Sequence, residues 1–245
     1  MNTIDMSPRI EILDESSKAV SEIQKDRYCF GNYVDDFAGK LDQTWDDFCS
    51  TWDDLGADSF MADEGSYRER RFSMAVYDAE SSELSYKRHG CYFQKEGDNP
   101  LNGGVERKFD AITPYVAGHG IIKDLVRHYG TIFSVLGYGN HWDLQIHQVR
   151  IKTSNGETGE PSPEGIHKDG TNFTTLVLIN RNGVIGGENM LFDNNKELLA
   201  SKVLENQGDF VILNDKELYH DVSAIEPASE SPGYRDMLMI GFTQI

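Results

Sequence analysis

A mainly β fold, a jelly roll or small barrel with flanking helices and a helical N-terminal part, is predicted by three features of the sequence. Short strand-type runs crowd the chain from Thr131 onward, and an apolar stripe at helical spacing runs from Val34 to Leu55. A Gly-, Pro- and Ser-rich stretch, Ser154 to Gly165, interrupts the strand-type runs as a mobile loop rather than a linker between domains. At 245 residues the chain suits one domain, with about residues 1–60 helical and about residues 130–245 forming the β core.

The stripe consists of Val34, Phe37, Leu41, Trp45, Phe48, Trp52 and Leu55, steps of three and four that make one helix face, with Gly39 as a possible break. Asp35, Asp36, Asp42, Asp46, Asp47, Asp53 and Asp54 occupy the other side and read as a solvated face, because a calcium loop wants alternating ligands around a Gly turn. Further helices are expected at about Ile10 to Lys25 and Ile121 to Tyr129. Strands are expected at Thr131–Leu136, Leu144–Lys152, Phe173–Asn180, Phe210–Leu213 and Met237–Thr243.

A net charge of -18 makes the molecule's field repel nucleic acid and anionic membranes, since both are bound by neutralising phosphates with Lys and Arg. The three cysteines, Cys29, Cys49 and Cys91, form no close pair and signal neither a disulfide framework nor a zinc knuckle. With no basic-then-apolar leader and no run of about 18 apolar residues, a cytoplasmic protein with free thiols is expected.

The chemistry concentrates late in the chain. In Gly165-Ile-His167-Lys-Asp169-Gly170 the imidazole and carboxylate sit at i and i+2, the same side of an extended segment. His220, in Glu217-Leu-Tyr-His-Asp-Val, follows after enough strand-type sequence to fold back beside them. Two His and one carboxylate on one face of an octahedron, with open positions opposite, is the arrangement used for non-haem iron(II) and oxygen. Arg235 then opens the closing strand. A guanidinium is a planar, permanently charged fork matching a carboxylate, and the charge closes: iron(II) with these ligands carries about +1, Arg235 another, and a 2-oxoglutarate dianion cancels both.

His167-x-Asp169, His220 and Arg235 resemble, in order and spacing, the 2-oxoglutarate/iron(II) dioxygenases. Arg68-Glu-Arg-Arg-Phe-Ser73, Cys91-Tyr-Phe-Gln94, Ile146-His-Gln-Val-Arg-Ile151, Ile185-Gly-Gly-Glu-Asn189 and Tyr234-Arg-Asp-Met-Leu238 are similar to the bacterial free amino-acid dioxygenases of the isoleucine dioxygenase type. The likeness covers most of the chain from about Arg68. It implies a double-stranded β-helix, a cupin-like jelly roll, with a helical buttress. It also implies iron(II), 2-oxoglutarate as co-substrate and O2, with His167, Asp169 and His220 on the metal and Arg235 on the far carboxylate of 2-oxoglutarate. The products would be succinate, carbon dioxide and a substrate hydroxylated at an unactivated carbon. An intact Asp169 favours hydroxylation over chlorination, because related halogenases replace the carboxylate to admit chloride; desaturation and ring closure use the same triad.

Supporting residues are less specific. Arg150, with His147 and Gln148 on the same strand, is a candidate for binding 2-oxoglutarate or substrate, against cross-strand pairing as the plain explanation. Thr174 is a candidate for the cofactor carboxylate, with Thr175 beside it. Arg70, in the cluster Arg68, Arg70 and Arg71, is a candidate for a substrate carboxylate, against ion pairing with the Asp-rich helix. Phe93 and Tyr92 are candidates for a pocket wall. Gly186-Gly187 serves a turn of positive φ, and His89, His119, His128 and His141 read as structural or surface residues. The expected substrate is a small molecule, a free aliphatic L-amino acid such as leucine, isoleucine or methionine. A polar amino acid such as glutamate, a peptide or protein, and a non-catalytic metal-binding module are the alternatives, and monomer or homodimer stays open.

Overall fold

The computed structural model describes residues 17–35, 42–61, 63 and 65–245. Residues 10–16 of the first expected helix, and Asp36, Phe37, Gly39 and Leu41 of the second, lie outside the described residues. Within them α1 (Lys18–Asp26) starts at Ser17, whose hydroxyl accepts the Val20 N–H, and ends at Arg27, in the left-handed region with φ 70. Strand β1 (Tyr28–Asn32) follows, then α2 (Gln43–Ser50), capped by Asp42, and a 3-10 turn, Thr51–Asp54. Trp45, Phe48 and Trp52 are buried, so the stripe faces the core.

After β2 (Gly56–Ala57), β3 (Arg68–Asp78) and β4 (Glu83–Tyr86) come α3 (Pro114–Ala117) and α4 (Gly120–Val135). Helix α4 absorbs the stretch Thr131 to Leu136 that was expected as a strand. Thr131, Ile132, Phe133 and Val135 have β-type propensity, but Ile132 and Phe133 continue the buried stripe of Ile122, Leu125, Val126 and Tyr129, and burial overrides the local preference.

The remaining strands are β5 (His141–Thr153), β6 (Phe173–Asn182), β7 (Val184–Gly186), β8 (Glu188–Phe192), β9 (Leu198–Val203), β10 (Asp209–Asn214), β11 (Tyr219–Val222), β12 (Ile225–Pro227) and β13 (Gly233–Gln244). The main sheet runs β1-β10-β6-β13-β5-β3-β2, with β4 added to β3; a second sheet is β11-β8-β9, and β12 pairs β7. All these pairings are antiparallel. Residues 154–165 are tied down by bridges from Ser154 to Glu157 and from Gly159 to Ile225. No described helix is long and apolar enough to cross a membrane.

Alternation along the main-sheet strands sends successive residues to two different layers. Leu238, Ile240 and Phe242 of β13, with Phe173 and Val177 of β6, join the helical layer, where Phe133 stacks on Phe173 with centroids 4.0 Å apart. Leu176, Leu178, Val211 and Met237 point the other way and pack with Leu191 of the second sheet. The metal-ligand candidates lie at the open end of this second layer.

Phe133 is fully buried, with Phe242 and Trp142 edge-on at 5.0 and 5.5 Å. Phe133→Ala is expected to lower the unfolding free energy by about 3–5 kcal/mol, read by urea denaturation, through the lost transfer energy and the cavity left between helix and sheet.

Candidate active site

His167 is not on a regular strand. It forms a single antiparallel bridge with His220 of β11, in which each backbone N–H donates to the other's carbonyl at 3.0 Å. This reciprocal pair brings the two imidazoles together, ring centroids 4.3 Å apart. Asp169 completes the group: its Oδ1 is 3.7 Å from His167 Nε2 and its Oδ2 is 3.5 Å from His220 Nε2. One ligand atom from each residue lies within 4.8 Å of the others.

The neighbours orient these side chains. His167 Nδ1 meets the Gly165 carbonyl at 2.7 Å, so Nδ1 carries the proton in the neutral ring and Nε2 presents a lone pair. Both His220 nitrogens are buried and have no hydrogen-bond partner among the described residues, an arrangement that leaves the ring free to ligate. Thr174 donates its hydroxyl to Asp169 Oδ2 at 3.1 Å, and Gln94 approaches Oδ1 at 3.4 Å. The Asp215 carboxylate, buried at the β10–β11 turn, accepts three successive backbone N–H groups, of Asp169, Gly170 and Thr171, at 2.9, 2.8 and 3.0 Å.

The electrostatics of the cluster favour added positive charge. Burial, joined by the charge on His167, pushes His220 down to about 3. Burial also opposes a proton on His167, yet the hydrogen bond to Asp169 and the charge of Glu164 outweigh it and raise His167 to about 9. One positive charge is therefore favoured beside Asp169, a place that a divalent cation fills with two neutral imidazoles. The donor set, two nitrogens and one carboxylate oxygen with small neutral donors behind the carboxylate, fits iron(II).

Arg235 reaches the same pocket from β13. It is 2% exposed, and among the described residues it has no carboxylate partner; Nη2 lies 3.4 Å from Asn189 Oδ1 and Nε is unpaired. Burial, then the charge of Arg181, lowers it to about 9. Gly186 and Gly187 both take positive φ, 78 and 72, and a Cβ on Gly187 would stand 3.2 Å from Arg235 Cδ, so the second glycine makes room for the guanidinium.

Other candidates fall on both sides of the sheet. Arg68, Arg70, His147, Val149 and Ile151 face the pocket, as do Met237 and Met239. Arg150 does not: alternation turns it to the helical side, where it forms a two-pronged pair with Asp236 at 2.7 and 2.8 Å and meets Asp53 at 3.0 Å. Gln148 and Arg71 are on that side too, bound to Thr51 and Asp54. Thr174 donates its hydroxyl to Asp169, and Thr175 bonds the Ile240 carbonyl. Phe93 is 50% exposed and points outward, because in an extended run Tyr92 and Gln94 take the inward positions. Gln94, Arg107, Glu164 and Asp215 carried no assignment from the sequence. Their residue types are unremarkable and only the tertiary fold brings them to the triad and its pocket.

Asp215 links the turn before β11 to the backbone of Asp169, and so fixes one ligand against the segment bearing another. Asp215→Asn puts an NH2 group among three N–H donors, and is expected to weaken Co(II) binding about 10-fold or more. The check is titration of metal-free protein by cobalt absorption; unchanged affinity in a folded variant removes the role.

Comparison with known proteins agrees with this geometry. The profile of the 2OG-Fe dioxygenase family matches residues 49–241. The L-isoleucine-4-hydroxylase of Bacillus thuringiensis is 25% identical over 184 residues, 73% of this chain and 76% of that protein. The 3(1)-hydroxy-L-isoleucine 4-dioxygenase of Pantoea ananatis is 22% identical over 168 residues, 66% and 68% of the two chains. Among solved structures, a bsmA homolog from Methylobium petroleophilum superposes with TM-score 0.84 at 26% identity, covering 95% of this chain and 94% of that one. The IDO structure from Bacillus thuringiensis gives TM-score 0.76 at 19% identity, covering 96% and 99%, a likeness of fold. With the double-stranded β-helix, the two-histidine, one-aspartate centre and the profile match all in agreement, the chain belongs to the 2OG-Fe dioxygenase family, as a relative of the bacterial isoleucine dioxygenases.

Proposed function

We propose that residues 1–245 form one oxygenase domain that hydroxylates an unactivated C–H bond of a free L-amino acid, aliphatic in the manner of leucine, isoleucine or methionine. The observation that carries this reading is Arg235, buried and without an ionic partner among the described residues, in the same pocket as His167, Asp169 and His220. Burying such a charge costs several kcal/mol unless an anion pairs with it. A bare metal-binding module has no use for that cost.

In this reading His167, Asp169 and His220 hold iron(II), while Thr174 and Gln94 aim the two oxygens of Asp169. Arg235, oriented by Asn189, receives the far carboxylate of 2-oxoglutarate. Bound there, iron(II) with 2-oxoglutarate and O2 supplies the oxidising chemistry that ends in succinate, carbon dioxide and a hydroxylated product. Val149, Ile151, Leu176, Met237 and Met239 keep water from the pocket floor. Burial, then the charge of Arg70, pushes His147 well below its ordinary value, so it stays neutral and adds no further cation. Arg70 stands ready for the substrate carboxylate. Asp169 occupies the position that a halide would need, which supports hydroxylation over chlorination. The aliphatic class is supported by the two relatives, named for isoleucine and hydroxyisoleucine, and by the apolar floor.

A second reading, an acidic amino acid such as glutamate, is favoured by one observation. Arg68, Arg70 and Arg107 cluster at the β3 side of the pocket, where among the described pocket-lining residues and their ion-pair partners Asp58 and Glu164 are the acids beside them, and a side-chain carboxylate would add neutralising charge.

Anaerobic protein given iron(II), 2-oxoglutarate and a panel of standard L-amino acids, then O2, is expected to form succinate and a product one oxygen heavier in step. His167→Ala and His220→Ala should abolish turnover. Arg235→Ala should raise the KM for 2-oxoglutarate by about 10–100-fold, as expected for loss of a charge-assisted pair; an unaltered KM removes its role.

A further inference from the structure

At the β3 side of the pocket, Arg70 Nε, Arg107 Nε and Glu164 Oε2 are buried and have no hydrogen-bond partner among the described residues, Arg70 Nε meeting only the Asp58 carboxylate at 3.9 Å. Arg107 is 3% exposed and lies over the Tyr92 ring, 4.7 Å from its centroid. The Glu164 side chain is 10% exposed and stands 3.6 Å from His167 Nε2.

Two amides hold this cation and this carboxylate in fixed positions beside the metal. Gln94 Oε1 accepts from Arg107 Nη2 at 2.6 Å and from Asn99 Nδ2 at 3.0 Å. Those two donors set the amide's orientation and turn its Nε2 toward Asp169. Asn99 Nδ2 also donates to Glu164 Oε1 at 3.0 Å. Glu164 is near enough to act on the Arg107 charge, yet among the described residues the two form no ion pair; the network spaces them. Both side chains line the pocket that holds the triad.

We propose that Arg107 and Glu164 form a zwitterion clamp: Arg107, with Arg70 beside it, takes the α-carboxylate of the substrate, and Glu164 takes the α-ammonium. The proposal rests on the amino-acid oxygenase reading and deepens it by naming the residues that recognise the amino-acid head. A free α-amino acid satisfies both groups at once, and its α-carbon is then held at a fixed place beside the triad. A ligand lacking either charge leaves one member buried and unpaired, the situation in which polar sites discriminate most strongly. An internal residue of a peptide lacks both charges and is rejected.

The test compares L-leucine with 4-methylpentanoate, which lacks the amine, and with 3-methylbutylamine, which lacks the carboxylate. L-glutamate, glutarate and 4-aminobutanoate form a parallel set for the acidic reading. Binding is measured by calorimetry on the Co(II)- and 2-oxoglutarate-loaded protein, and KM by succinate release from the iron enzyme. The wild type should bind at least one of the two amino acids about tenfold or more tighter than both of its analogues. Glu164→Gln should weaken that amino acid about tenfold while leaving its deamino analogue nearly unchanged. Arg107→Gln should weaken both carboxylate-bearing ligands and spare the amine. Glu164 lies outside the regular elements, so its isosteric variant decides the matter even where the buried Arg107 variant fails to fold. Turnover of an amino acid by the wild type with analogue selectivity unchanged in Glu164→Gln overturns the clamp alone. Absence of succinate with any amino acid overturns the underlying reading and the clamp with it.

Discussion

The active centre depends on one backbone pairing, the reciprocal bridge between His167 and His220. The two histidines come from segments far apart in the chain, and a shift of one residue in either would turn an imidazole out of the pocket. No hydrogen bond joins the two rings, which stand tilted with centroids 4.3 Å apart. The main chain positions them, through two hydrogen bonds of 3.0 Å, and the Asp215 carboxylate extends the same constraint to Asp169 by gathering the next three N–H groups. The triad is therefore preorganised by backbone, and the metal need not assemble it.

Charge explains why such preorganisation matters. Arg235 and Arg107 are buried with less negative charge around them than they need, and burial, the leading cause in both, lowers their pKa. Asp215 is pushed up to about 7, first by burial and then by the charge of Asp169. A fold optimised for stability alone would replace these groups with apolar ones. Their retention inside a shell of Val149, Ile151, Leu176 and Met239 marks the pocket as a place where stability is given up for recognition.

How much of this was legible in the sequence follows from which signals are local. The triad and Arg235 stood out because four residues of three chemically distinctive types came in a meaningful order. Strands β5, β6, β10 and β13 stood out because they are continuous apolar or alternating runs. Strand β3 did not, since Arg68-Glu-Arg-Arg reads as a polar surface until the pocket inside it is known. The C-terminal half of α4 was misread as a strand because propensity was weighed over the buried stripe it continues. Gln94, Arg107, Glu164 and Asp215 act only through partners distant in the chain, which no local pattern reveals.

One local rule could have carried the reading further. On β5 the alternation divides His147 from Gln148 and Arg150, and on β3 it divides Arg68 and Arg70 from Arg71. The residues on the apolar, helical side of each strand are bound to the α2 segment and its 3-10 turn: Gln148 to Thr51, Arg150 to Asp53, Arg71 to Asp54. Their job is to fasten the acidic helix to the sheet, and the Asp-rich face supplies the partners. Among the described residues the arginines of the opposite parity share one ion-paired buried acid, Asp58, 2.7 Å from Arg68 and 3.9 Å from Arg70. In an acidic chain, paired guanidiniums are the common case and underpaired ones the informative case. The sheet separates the two kinds by parity, placing structural ion pairs on its helical face and underpaired guanidiniums in the oxygenase pocket.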